Sequence, residues 1–183
     1  MAWIAGDLWA ILPLAAHLID VGEHHQRRES LGWGHYLRSS SAYQHNDLAT
    51  AAAHAQALEE MRYVCTPMAY LQSAFVYASV YQAQGLAEQA RAKIDLAFTF
   101  VRETRSEGLL PLAHAFAAEL AVRQGDLGAA SQWATTMGRK LPLTLMPYFY
   151  APQLTLPKIL LAQATPASLE QAAAELSLSL IHI

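Results

Sequence analysis

Eight histidines, a single cysteine, a glutamate pair and a serine run are the residues of this chain that could do chemistry. A zinc hydrolase sets two histidines one helical turn apart around a glutamate, and structural zinc needs grouped Cys and His. His24 and His25 are adjacent and point apart on a helix, His17 is eight residues before His25, and His45 is nine before His54. Neither spacing builds a ligand set, so solvated or capping histidines are expected and no metal site is. Cys65 has Arg62 one turn away but precedes Thr66-Pro67 at a helix junction, a poor setting for a thiolate nucleophile. Ser39-Ser40-Ser41 has no nucleophile-elbow surroundings and reads as small packing residues. Glu59-Glu60 and Glu103 fall on helices expected to be convex, and read as solvated faces rather than an acid/base pair. No catalytic residue is expected, and the chain does not read as an enzyme.

Composition narrows the remaining functions. The chain has 183 residues, 54% of them hydrophobic and 15% charged, with a formal net charge of -3. That is enough for a sizeable core, and the lack of long β-branched runs argues against a sheet. The twelve basic residues are scattered rather than clustered, so no nucleic-acid surface is expected. Met1 to Leu18 has no basic leader and is interrupted by Asp7 and Pro13, and no run of about twenty apolar residues occurs. No membrane contact is expected. A lone cysteine excludes an intrachain disulfide and fits the reducing cytoplasm.

The elements that must position any site follow from five loop signals, which begin at Gly6, Asn46, Gly85, Gly125 and Ala164. Their steps are 40, 39, 40 and 39 residues. One breaker per fixed period near forty residues means stacked helical hairpins. After Asn46-Asp47, the residues Leu48, Ala51, Ala52, Ala55 and Leu58 fall on one helical face. Asp47 or Asn46, and again Asp126, are suited to cap the helix that follows. Partner helices are expected at 29–44, 67–84, 108–124 and 148–163. Pro67 suits a first turn, and Gly85 and Gly125 suit a left-handed helix end. Pro13 and Pro157 fall inside expected helices, so a kink or break is expected at each.

Ala78, Tyr81, Gly85, Ala90, Ile94 and Ala97 together resemble the tetratricopeptide pattern. The expected fold is therefore all-α, a right-handed superhelical solenoid of about four to five such hairpins. Its concave face would carry Trp33, Tyr36, Ser40, Tyr43 and Gln44 from one partner helix. Gln72, Phe75, Ser79 and Gln82 would follow from the next, and Glu119 and Arg123 from the one after. Aromatic faces beside amides and a charged pair suit a sugar, a peptide or a partner helix. The competing reading makes Trp33, Tyr36 and Phe75 inter-helix core, and Glu119 and Arg123 a helix-stabilising pair.

Further stretches carry a family resemblance. They include Leu110-Pro111-Leu112-Ala113, Ala118 to Leu127, Tyr150 to Leu156, Leu160 to Gln163, Glu29 to Tyr36 and Tyr43 to Leu48. From Gly6 to Leu176 the chain resembles the helical-repeat sensor region of MalT-type, ATP-dependent LuxR-family transcriptional regulators. Pro157 departs from that pattern. The resemblance implies an array that receives a small-molecule inducer or a regulatory protein and gates self-assembly. ATP would bind only in an upstream domain and DNA only in a downstream helix-turn-helix; the chain contains no G-x-x-x-x-G-K-[ST] loop. The array is expected over 1–177 as a fragment of a longer chain. Residues 178–183 (Leu-Ser-Leu-Ile-His-Ile) resemble the translation of a transposon end used in sequencing libraries and are expected to be non-native. Uncapped ends of such an array would favour self-association. The alternative is a free-standing scaffold that binds a protein or peptide.

Overall fold

The computed structural model describes residues 10–136 and 149–181, the last four of these by backbone alone. The loop signal at Gly6 and residues His182 and Ile183 lie outside them. The described residues are all-α, with nine α-helices and no strand. They fall into two compact units, Met1–Glu107 and Gly108–Ile183. The first holds α1 (Ile11–His24), α2 (Arg28–Gln44), α3 (Leu48–Glu60), α4 (Pro67–Ala83) and α5 (Ala87–Glu103). Each packs on the next, and α2 also packs on α4. The second holds α6 (Leu110–Arg123), α7 (Leu127–Thr136), α8 (Thr155–Gln163) and α9 (Pro166–Ile181). There α6 packs on α7 and α8, α7 on α8, and α8 on α9.

The loop signals mark left-handed residues. Asn46, Gly85, Gly125 and Ala164 have φ of 61°, 77°, 81° and 53°. After the first three, the next amide reaches back to a carbonyl five residues earlier: Asp47 to Ala42, Leu86 to Tyr81 and Asp126 to Ala121, each at 2.9 Å. This closure satisfies a carbonyl that the ending helix would otherwise orphan. Gln26 (φ 54°) and Arg105 (φ 52°) do the same between α1 and α2 and after α5, through Arg27 to Gly22 and Ser106 to Val101. Neither is marked in the sequence by glycine or asparagine. The connection from α3 to α4 differs: a 3-10 turn at Arg62–Val64 leads to an extended Cys65.

Helix starts follow the capping chemistry. Asp47 accepts from the Thr50 amide at 3.1 Å, and Asp126 from the Ala129 amide at 3.0 Å. At α9 the cap is reciprocal: Thr165 accepts from the Ser168 amide and Ser168 from the Thr165 amide. The prolines correct an expectation. Helix α1 begins at Ile11 and α8 at Thr155, so Pro13 and Pro157 each sit in a first turn, where no N–H is needed. The expected helix over 148–163 is shortened to nine residues behind a 3-10 turn at Pro152–Leu154.

In the first unit the core centres on α4, where every residue from Ala69 to Val80 is buried. Tyr70 meets Phe100 of α5 edge-on at 4.4 Å, and Ala51, Ala55 and Leu58 close the core from α3. Helices α1 and α2 approach so closely that a Cβ on Gly34 would lie 2.7 Å from Ile19 Cγ1 and 2.9 Å from the Ile19 backbone nitrogen. In the second unit Leu112, Phe116 and Leu120 of α6 pack with Trp133, Leu156, Ile159 and Leu160 in the buried set. Each such side chain contributes roughly 1.5–3 kcal/mol of apolar transfer free energy.

Candidate functional site

The eleven residues expected on a concave face divide by accessibility. Trp33, Tyr43 and Gln82 are half-buried, and Gln44 and Arg123 are exposed. Tyr36, Ser40, Gln72, Phe75, Ser79 and Glu119 are buried. For the five in α2 and α4 small side chains accompany that burial. Ser39, Ser40, Ser41 and Ala42 in α2, with Ala69, Ser73, Ala74, Ala78 and Ser79 in α4, let neighbouring helices close over these faces. Trp33 and Tyr36 meet edge-on with centroids 5.7 Å apart, and Ser40 donates to the Leu37 carbonyl at 3.1 Å.

Glu119 is the most unusual of the eleven, because its carboxylate is buried to 2% exposure. Its Oε1 accepts from Arg123 at 2.6 Å and from Lys158 of α8 at 2.8 Å. Its Oε2 is buried with no hydrogen-bond partner. Beside the cluster Tyr150 packs edge-on against Phe116 at 5.0 Å and hydrogen-bonds Thr155. Burial pushes the Tyr150 hydroxyl well above its usual titration range, with the Glu119 charge adding to the effect, so it stays neutral. The Arg123 and Lys158 side chains are 37% and 45% exposed, so both cations reach solvent beside the buried carboxylate. The cluster contains no nucleophile.

Of the glutamates expected on solvated faces, Glu60 and Glu103 are exposed and Glu59 is half-buried. Lys93 of α5 donates to both oxygens of Glu59 at 2.9 Å and lies 4.4 Å from the Tyr77 ring centroid. Thus α3, α4 and α5 share one polar tie. Glu103 accepts from Tyr63 at 2.6 Å. Burial pushes the Cys65 thiol up to about 11, which keeps it protonated and unreactive.

Two arrangements have no counterpart in the sequence reading. His35 of α2 and His54 of α3 face each other with Nδ1 atoms 2.9 Å apart and ring centroids at 5.1 Å. Their separation of 19 residues matches no metal motif. The only sequence signal is that both sit near the Asn46 turn, eleven residues before it and eight after it. Separately, a cavity of about 310 Å³ is lined by His114, Ala129, Gln132, Trp133 and Thr136. The Trp133 Nε1–H is buried without an acceptor. Among the described residues no three His, Cys, Asp or Glu side chains gather for a metal, and no helix is long and apolar enough to cross a membrane.

No protein-family model, curated protein or solved structure matches the chain.

Proposed function

We propose that this chain is the non-catalytic sensing array of a MalT-like LuxR-family transcriptional regulator, built as a right-handed solenoid of TPR-like hairpins. One observation carries the reading. Left-handed residues recur at 46, 85, 125 and 164 between helices that pack on their sequence neighbours. Stacked hairpins of this kind offer a groove for recognition. Trp33, Tyr43, Gln44 and Gln82 would be the accessible recognition groups of the first unit, and the Arg123–Lys158 cations those of the second. A small-molecule inducer or a regulatory protein would bind there, in the cytoplasm. ATP and DNA would be held by other domains of the same regulator.

The second reading is a free-standing scaffold for a protein or peptide. It is favoured by Tyr63 and Val64, adjacent apolar side chains that are each 57% exposed. Sequencing the source DNA across both ends of the frame separates the two. A phosphate-loop ATPase upstream and a helix-turn-helix downstream support the regulator, and their absence from the extended frame overturns it. Within such a regulator, Arg123→Ala alone, which leaves Lys158 on Glu119, is expected to lower induced transcription, measured with a promoter reporter.

A further inference from the structure

We propose that His35 and His54 form a bidentate site for a transition-metal dication of the Cu2+, Ni2+ or Zn2+ class, joining α2 to α3. The geometry carries the inference. Two imidazole nitrogens each roughly 2.0–2.1 Å from one metal ion stand about 2.9 Å apart at the right angle of a tetragonal Cu2+ or Ni2+ site, and about 3.3 Å apart at the tetrahedral angle of Zn2+. The two Nδ1 atoms are 2.9 Å apart. They belong to different helices, so the spacing is set by the packing of α2 on α3 across the Asn46 turn rather than by the periodicity of one helix.

The chemistry is consistent with that spacing. In the hydrogen-bonded pair one Nδ1 carries the hydrogen and the other accepts it. With a metal bound, both Nδ1 lone pairs point at the cation and both rings carry hydrogen on Nε2. One ring changes tautomer and no net proton is released. Only neutral imidazole is a ligand. Glu23 of α1 acts on His35 with the sign that favours a cation, and Arg38 of α2 acts on His54 with the opposite sign. Both rings are half-buried, which leaves open positions to water. With two nitrogen donors, Cu2+ binds most tightly and Ni2+ and Zn2+ less so.

The test uses the whole 183-residue chain, stripped with chelator and titrated with NiCl2 by calorimetry, and ring-15N spectra with ZnCl2. One equivalent is expected to bind and to raise Tm by a few degrees. His35→Gln and His54→Gln are each expected to weaken that binding at least tenfold, whereas His24→Gln and His114→Gln leave it unchanged. In the unsubstituted chain, the ring-15N signals of two histidines should show metal on Nδ1 and hydrogen on Nε2. That spectrum decides the matter even if a variant folds poorly. Binding that survives both substitutions, metal on Nε2 of other histidines, or no saturable binding overturns the proposal.

Discussion

At the scale of single residues, the buried charges have the largest consequences. Glu119 shares one oxygen between two cations, so each cation backs up the other. Arg123→Ala or Lys158→Ala alone is expected to destabilise by about 1 kcal/mol, since one partner remains and both cations are partly solvated. The double substitution strands a buried carboxylate and is expected to remove roughly 3–5 kcal/mol. Urea unfolding midpoints of the three variants measure this excess, and simple additivity would refute it. His54 supplies a pH dependence. It titrates near 4 in the folded chain against 6.5 for an unperturbed histidine, because of burial first and then of the His35 and Arg38 charges. Between those values the unfolded chain binds more protons. This contribution to stability is therefore complete above about pH 6.5 and is lost as the pH falls toward 4. His54→Gln is expected to flatten the decline of the unfolding midpoint over that interval.

At the scale of elements, the turns are where backbone conformation and residue type disagree. Ala164 occupies the left-handed conformation that Gly85 and Gly125 take without strain. Ala164→Gly is expected to stabilise the chain by about 0.5–1 kcal/mol, the relieved strain exceeding the added freedom of the unfolded state. An unchanged or lower Tm would contradict that. Gly34→Ala is expected to cost roughly 1–3 kcal/mol, because Ile19 backbone as well as side chain stands in the way and α1 must retreat from α2. These positions also show what was legible in the sequence. Asn46-Asp47, Gly85 and Gly125-Asp126 announced their turns, because glycine, asparagine and a capping aspartate each carry a distinct conformational preference. Gln26 and Arg105 form the same closure with ordinary side chains, held by packing and by the returning hydrogen bond, so composition left no mark. Pro13 and Pro157 gave a true signal at a misplaced boundary: each belongs near a helix start, not inside a helix. The site was less legible. Counting along a helix places Tyr36, Gln72 and Phe75 on a face, but whether that face is open depends on how close the next helix comes. Runs of serine and alanine decide that, and their effect appears only after packing.

At the scale of the whole molecule, burial is distributed unevenly. Helix α4 is buried through twelve consecutive residues, whereas α1 and, among the described side chains, α9 each bury only a minority of theirs. Amide exchange is expected to be slowest from Ala69 to Val80 and faster in α1 and α9, as read by hydrogen-exchange mass spectrometry. Equal protection in α1 or α9 would show that local packing does not set the order of opening. The opposite extreme lies at the hairpin tips. A side chain at Gly85 or Gly125 would meet nothing within 4 Å, and lengthening a surface loop raises its closure entropy only logarithmically. Those two tips are thus natural grafting points. A peptide tag or a circularly permuted fluorescent reporter could be spliced there at the loss of one returning hydrogen bond, from Leu86 or Asp126, whereas the same insertion between Ala69 and Val80 would have no outward side to occupy.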